Sequence, residues 1–77
     1  MFGKFDPEML AEKFPEVPIH LVYAIVRYGV FGLHPGSALE AVIKGDMTEF
    51  AKRADDETKA ALEQIRELFA TVGVKTA

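Results

Sequence analysis

The stretch from Tyr28 to Asp46, YGVFGLHPGSALEAVIKGD, decides how the rest of the chain is read. Gly29 and Gly32 take a positive φ without steric cost, which suits the end of a preceding helix. Pro35 fixes its own φ and pushes His34 toward extended geometry. Ser37 then reads as a helix N-cap, and Glu40 three residues later completes a capping box. The helix after this cap places Leu39, Val42 and Ile43 on one face and ends at Gly45.

Working outward toward the N-terminus, Asp6-Pro7-Glu8 is a helix start: a cap, a proline at the first position and an acid in the first turn. Met9, Leu10 and Phe14 can share a face, with Phe2 and Phe5 positioned to pack back on it. Pro15 and Pro18 stop that helix. The next segment, Ile19 to Phe31, is apolar nearly all round: Ile19, Val22, Tyr23 and Val26 on one side, Leu21, Ile25 and Tyr28 on another. Such a helix is buried on both sides, and in a short chain the simplest burial is against another copy. A strand is the rival reading, because Ile, Val and Tyr favour strands. Toward the C-terminus, Asp46 with Glu49 makes a second capping box. Asp55 caps a last helix whose core face is Leu62, Ile65, Leu68, Phe69 and Val72. Gly73 is placed as the residue just after that helix, and the last few residues are expected to fray. The expectation is an all-α, compact, oligomeric domain of four or five short helices over 7–14, 18–28, 37–44, 46–54 and 55–72. The last two can instead be one bent helix, since no proline or glycine separates them.

Composition narrows function. Seventy-seven residues make one domain, and so small a domain is marginal without help. There is no cysteine, hence no disulfide and no thiolate metal site. The two histidines, His20 and His34, do not have helical ligand spacing, so neither metal nor cofactor is expected. A net charge of −3 argues against binding along a nucleic-acid backbone. The N-terminus lacks the apolar run of a signal peptide, and Ile19–Phe31 is shorter than the ~20 residues of a membrane span. A soluble, cytoplasmic protein with no membrane partner is expected. No nucleophile–base–orienter set is present, so the chain does not read as an enzyme.

Arg27-Tyr28, Gly32, Pro35-Gly36, Leu39, Ala41-Val42-Ile43, Asp46-Met47 and Ala54-Asp55, with Leu62 and Ile65 after them, form a pattern. It resembles a family of small phage and prophage proteins with the signature R-Y-x-x-x-G-x-P-P-G-G-F-L-x-A-V-L-x-N-D-L, then A-D-x-x-N and an L-x-x-I helix. The resemblance runs from Arg27 to Phe69 without a gap. His34 stands where the family often has its first proline, Ser37 its second glycine, Ala38 its aromatic, Gly45 its Asn, and Thr58 the Asn after Ala-Asp. The resemblance implies a helical fold and a phage origin, hence the cytoplasm of a host cell.

The candidate ligand-binding residues are Tyr23, Arg27, Tyr28, Gly32, His34, Gly36 and Ser37. A turn feeding a helix start offers backbone donors and the positive end of a dipole to phosphate or carboxylate. His34 and Ser37 can add hydrogen bonds. Arg27, the one formal charge between Ile19 and Glu40, can grip a phosphate, and Tyr23 and Tyr28 can stack on a base. The bland reading makes the turn a device for close helix packing and Arg27 a structural partner of carbonyls or a carboxylate. Asp46 and Asp55 are explained as caps, and the run Asp55-Asp56-Glu57 as a solvated helix start. Two functions are expected on these grounds. One is a non-enzymatic phage-type protein that sequesters a nucleotide-like anion, as in counter-defence. The other is a host-takeover or inhibitor protein that docks on another protein through an apolar or acidic helical face.

Overall fold

A computed structural model describes residues 5–76. Phe2, expected to pack back on the first helix, lies outside them. Among the described residues there are six helices and no strand: α1 Pro7–Lys13, α2 Ile19–Phe31, α3 Ser37–Lys44, α4 Met47–Arg53, α5 Asp56–Ala60 and α6 Leu62–Thr71. Ile19–Phe31 is therefore helix and not strand.

Three expected caps form. The carboxylates of Asp6, Asp46 and Asp55 accept from the backbone N–H groups of Glu8 (3.0 Å), Glu49 (3.1 Å) and Thr58 (2.8 Å). Each satisfies a donor that a helix start leaves open. The joint between α3 and α4 is tight. Gly45 N–H donates to Val42, Asp46 N–H donates to Ala41, and Asp46 at once caps the next helix. After α6, Gly73 and Val74 repeat the pattern on Ala70 and Phe69. That fastening holds Val74 against the core, and Gly73, at φ 85°, follows the end of α6 as expected.

The structure corrects several boundaries. Helix α2 does not stop at residue 28 but runs through Gly29 to Phe31, and Gly32, at φ 71°, ends it with its N–H on the Tyr28 carbonyl. Gly29 is inside the helix because the chain needs room there. A Cβ on it would stand 2.8 Å from Val72 Cγ2 and 3.2 Å from the Val72 carbonyl oxygen. Helix α4 is not fused to α5, because Ala54 turns extended (ψ 143°) to let Asp55 cap α5. The expected single helix over 55–72 is two, bent at Ala61.

The core is one cluster. Val22, Ile25 and Val26 of α2, Leu39 and Val42 of α3, and Ile65, Leu68 and Phe69 of α6 are all but fully buried. α1 and α6 pack on α2, and α3 packs on α4. The Tyr28 ring meets Phe69 edge-on, centroids 6.4 Å apart. Glu16 and Gln64 exchange hydrogen bonds (3.1 and 3.3 Å), tying the α1–α2 connector to α6. The accessible surface is 4720 Å², against roughly 4,650 Å² for a monomer of this mass. Within the chain α2 buries Val22, Ile25 and Val26, while Ile19 and Phe31 at its two ends stay more than half exposed. No described helix is long and apolar enough to cross a membrane.

Candidate functional site

Helix α2 ends at Gly32, and five residues later α3 begins. Pro35 and Gly36 shape that crossing. Gly36 takes φ 103° and ψ 162°, which L side chains rarely adopt, so the position suits glycine. Gly36, not Ser37, is the N-cap of α3. Ser37 is already helical and its side chain makes no cap bond. The expected capping box is therefore absent, and Glu40 is released for another use.

That use is electrostatic. The Glu40 carboxylate meets His34 Nε2 on one side and Lys44 Nζ on the other, the latter at 2.6 Å. His34 Nδ1 accepts from the Gly36 N–H at 3.1 Å. With Nδ1 accepting, a neutral imidazole carries its proton on Nε2 and donates it to Glu40. Lys44, with His34 second, lowers the Glu40 pKa from 4.5 to about 2. Glu40 in turn raises the Lys44 pKa above 10.5. Both partners face water, so the pairing is screened by salt.

These groups line an open groove of about 360 Å³, formed by Tyr28, Gly32, His34, Pro35, Glu40, Ile43 and Lys44. Tyr28, Pro35 and Ile43 supply apolar surface; His34, Glu40 and Lys44 supply polar groups. Phe31 and Leu33, 54% and 53% exposed, flank Gly32 in the chain. A second groove of about 250 Å³ lies between α3 and α4, lined by Ser37, Glu40, Ala41, Lys44, Asp46, Glu49 and Arg53. Charged side chains dominate it, and Arg53 Nε is held by Glu49 at 2.6 Å.

The seven residues that the sequence points to do not form one cluster. Tyr28, Gly32 and His34 share the first groove. Ser37 lines the second, and Gly36 shapes the turn without lining either. Tyr23 and Arg27 line neither: the Arg27 guanidinium carbon lies 5.8 Å from the centroid of the Tyr23 ring, within cation–π range. One backbone donor expected to be open, the Gly36 N–H, is taken by His34. Pro35, Glu40, Ile43 and Lys44 join the first groove from outside the expected set. The i,i+4 spacing of Glu40 and Lys44 is the sequence signal that points to their pairing; the approach of His34 to Glu40 has no such local signal. Among the described residues no group of three or more His, Cys, Asp or Glu is placed to hold a metal ion.

The chain matches no family model, no curated protein and no solved structure.

Proposed function

We propose that the protein is a non-enzymatic binding protein whose groove between the end of α2 and α3 takes a small anionic, ring-bearing ligand of nucleotide type. The observation that carries this reading is the composition of that groove: apolar surface from Tyr28, Pro35 and Ile43 beside the nitrogens of His34 and Lys44. Its volume of about 360 Å³ is within the range of small-ligand sites. The first-turn N–H groups of α3 add donors. Glu40 acts as an internal stand-in for the anion, holding His34 and Lys44 until a phosphate competes for them. The resemblance to phage proteins favours a ligand among the nucleotide signals of a host cell, sequestered in its cytoplasm as counter-defence.

Calorimetric titration of a panel of mono-, di- and cyclic dinucleotides tests the reading. Lys44→Ala is expected to weaken binding roughly tenfold or more, the loss of one charge-assisted contact. Glu40→Gln is expected to strengthen binding severalfold, because it removes the competing charge. Arg27→Ala is expected to leave the affinity of a single chain unchanged. If nothing in the panel binds at millimolar concentration, the groove is not an anion site.

A second reading has its own observation. Phe31 and Leu33, each more than half exposed, stand on either side of Gly32, and neighbouring exposed apolar side chains favour contact with another protein. In this reading the chain docks on a host protein, or on itself as a homo-oligomer, through the apolar end of α2 around Phe31 and Leu33.

A further inference from the structure

Residues 33–36 carry the chain from Gly32 to the start of α3. Among the described residues, this segment makes one hydrogen bond within itself, the Gly36 N–H donating to His34 Nδ1 at 3.1 Å. A side-chain acceptor on the N–H two residues ahead is the bond of an Asx turn. Here a ring nitrogen stands in for the amide oxygen of Asn. The amide does not titrate near neutral pH, whereas an imidazole does. Neutral His34 fits both of its neighbours: Nδ1 accepts from Gly36, and Nε2 donates to Glu40. Protonation adds a hydrogen at Nδ1. An imidazolium has a donor at each nitrogen and no acceptor, so no rotation of the ring restores the bond from Gly36. The bond from Nε2 to Glu40 survives and gains the assistance of charge.

We propose that His34 is a pH-sensitive lock on this crossing. When neutral it ties down the Gly36 N–H; when protonated it frees that donor, adds a positive charge to the groove, and lets the groove hold an anion more tightly. The effect on ligand rests on the anion-binding reading of the groove given above. The groups that face His34 are Tyr28 from the end of α2 and Glu40 and Lys44 from α3. Tyr28 sets its ring edge-on to Phe69. Glu40, lowered to about 2 by Lys44 and His34, stays ionised from pH 5 to 8. Lys44, raised above its ordinary value by Glu40, stays charged as well. These two charges cancel, so the proton on His34 takes the trio His34, Glu40 and Lys44 from neutral to positive. The other histidine, His20, stands in the first turn of α2, at the far end of that helix from the groove, where its charge acts on Asp55. The His34 side chain is exposed, so its ring can turn without disturbing the core. The same exposure keeps the gain in affinity small, roughly three- to fivefold.

His34→Asn separates the lock from the fold, because Asn keeps an acceptor for the N–H two residues on and takes up no proton in this range. Nuclear magnetic resonance of the intact chain is the first arm. The Gly36 amide signal of the wild type is expected to move between pH 5 and 8 with the midpoint of the His34 ring signals, and to stand still in His34→Asn. A Gly36 amide that ignores the His34 ring, or that moves equally in His34→Asn, overturns the proposal. Calorimetric titration with adenosine 3′,5′-cyclic monophosphate is the second arm, since its phosphodiester keeps the same charge over this range. The wild type is expected to bind it roughly three- to fivefold more tightly at pH 5 than at pH 8, and His34→Asn equally at both. Equal wild-type affinity at the two pH values overturns the proposal. Binding at neither, with the Gly36 amide moving as expected, counts against the anion-binding reading of the groove alone and supports the lock.

Discussion

Glu40 shows how one side chain can leave the role its spacing suggests. Three residues after Ser37 it fits a capping box, but Gly36 takes the cap position and the carboxylate turns to Lys44 and His34. Its pKa, about 2 in the folded chain against 4.5 ordinarily, sets a pH dependence. A carboxylate held below its unfolded value stabilises the fold fully above pH 4.5 and loses that contribution as the pH falls toward 2. Melting curves between neutral pH and pH 2 are therefore expected to fall more steeply for the wild type than for Glu40→Gln. The difference should shrink in high salt, since both charges are exposed. A parallel decline of the two proteins would show that the pairing contributes nothing to folding.

At the scale of the element, the helices are bounded by caps of two unequal kinds. Asp46 and Asp55 accept real backbone hydrogen bonds, whereas Ser37 does not. Asp46→Ala and Asp55→Ala are each expected to cost about 1 kcal/mol, within the usual 0.5–2. Ser37→Ala is expected to stay within about 0.5 kcal/mol of the wild type. Urea unfolding of the three variants checks the order, and an equal loss at Ser37 would place the cap there after all. The contrast explains what was legible in the chain. Asp6, Asp46 and Asp55 combine a cap-forming side chain with ordinary backbone angles, and local chemistry suffices to find them. At 36–37 the choice fell to a glycine with φ 103°, because the path from α2 into α3 demanded a conformation that Ser would resist.

For the whole molecule the decisive contact is α2 against α6. Gly29 and Val72 are 43 residues apart in number but in contact in space. Gly29→Ala would press a methyl group to 2.8 Å from Val72 Cγ2, an overpacking expected to cost about 1–3 kcal/mol. Against a total of roughly 4–12 kcal/mol for a domain of this length, that loss is large. Gly29→Ala combined with Val72→Ala should recover part of it, since the side-chain clash is relieved while the approach of the Val72 carbonyl, at 3.2 Å, remains. Two additive losses in denaturant unfolding would refute the coupling.

The amino-acid sequence by itself determined the helical class, the starts at Asp6, Asp46 and Asp55 and the apolar faces of the helices, because these depend on side chains within one or two turns of each other. Tertiary structure decided the rest. It kept Gly29 inside α2, because α6 had to come close; it divided the last helix at Ala61; and it separated Arg27 from the turn at Gly32–Ser37 while drawing Ile43 and Lys44 to it. Which residues share a groove depends on where helices cross, and crossings are set by packing between segments far apart in the chain, which no local pattern encodes.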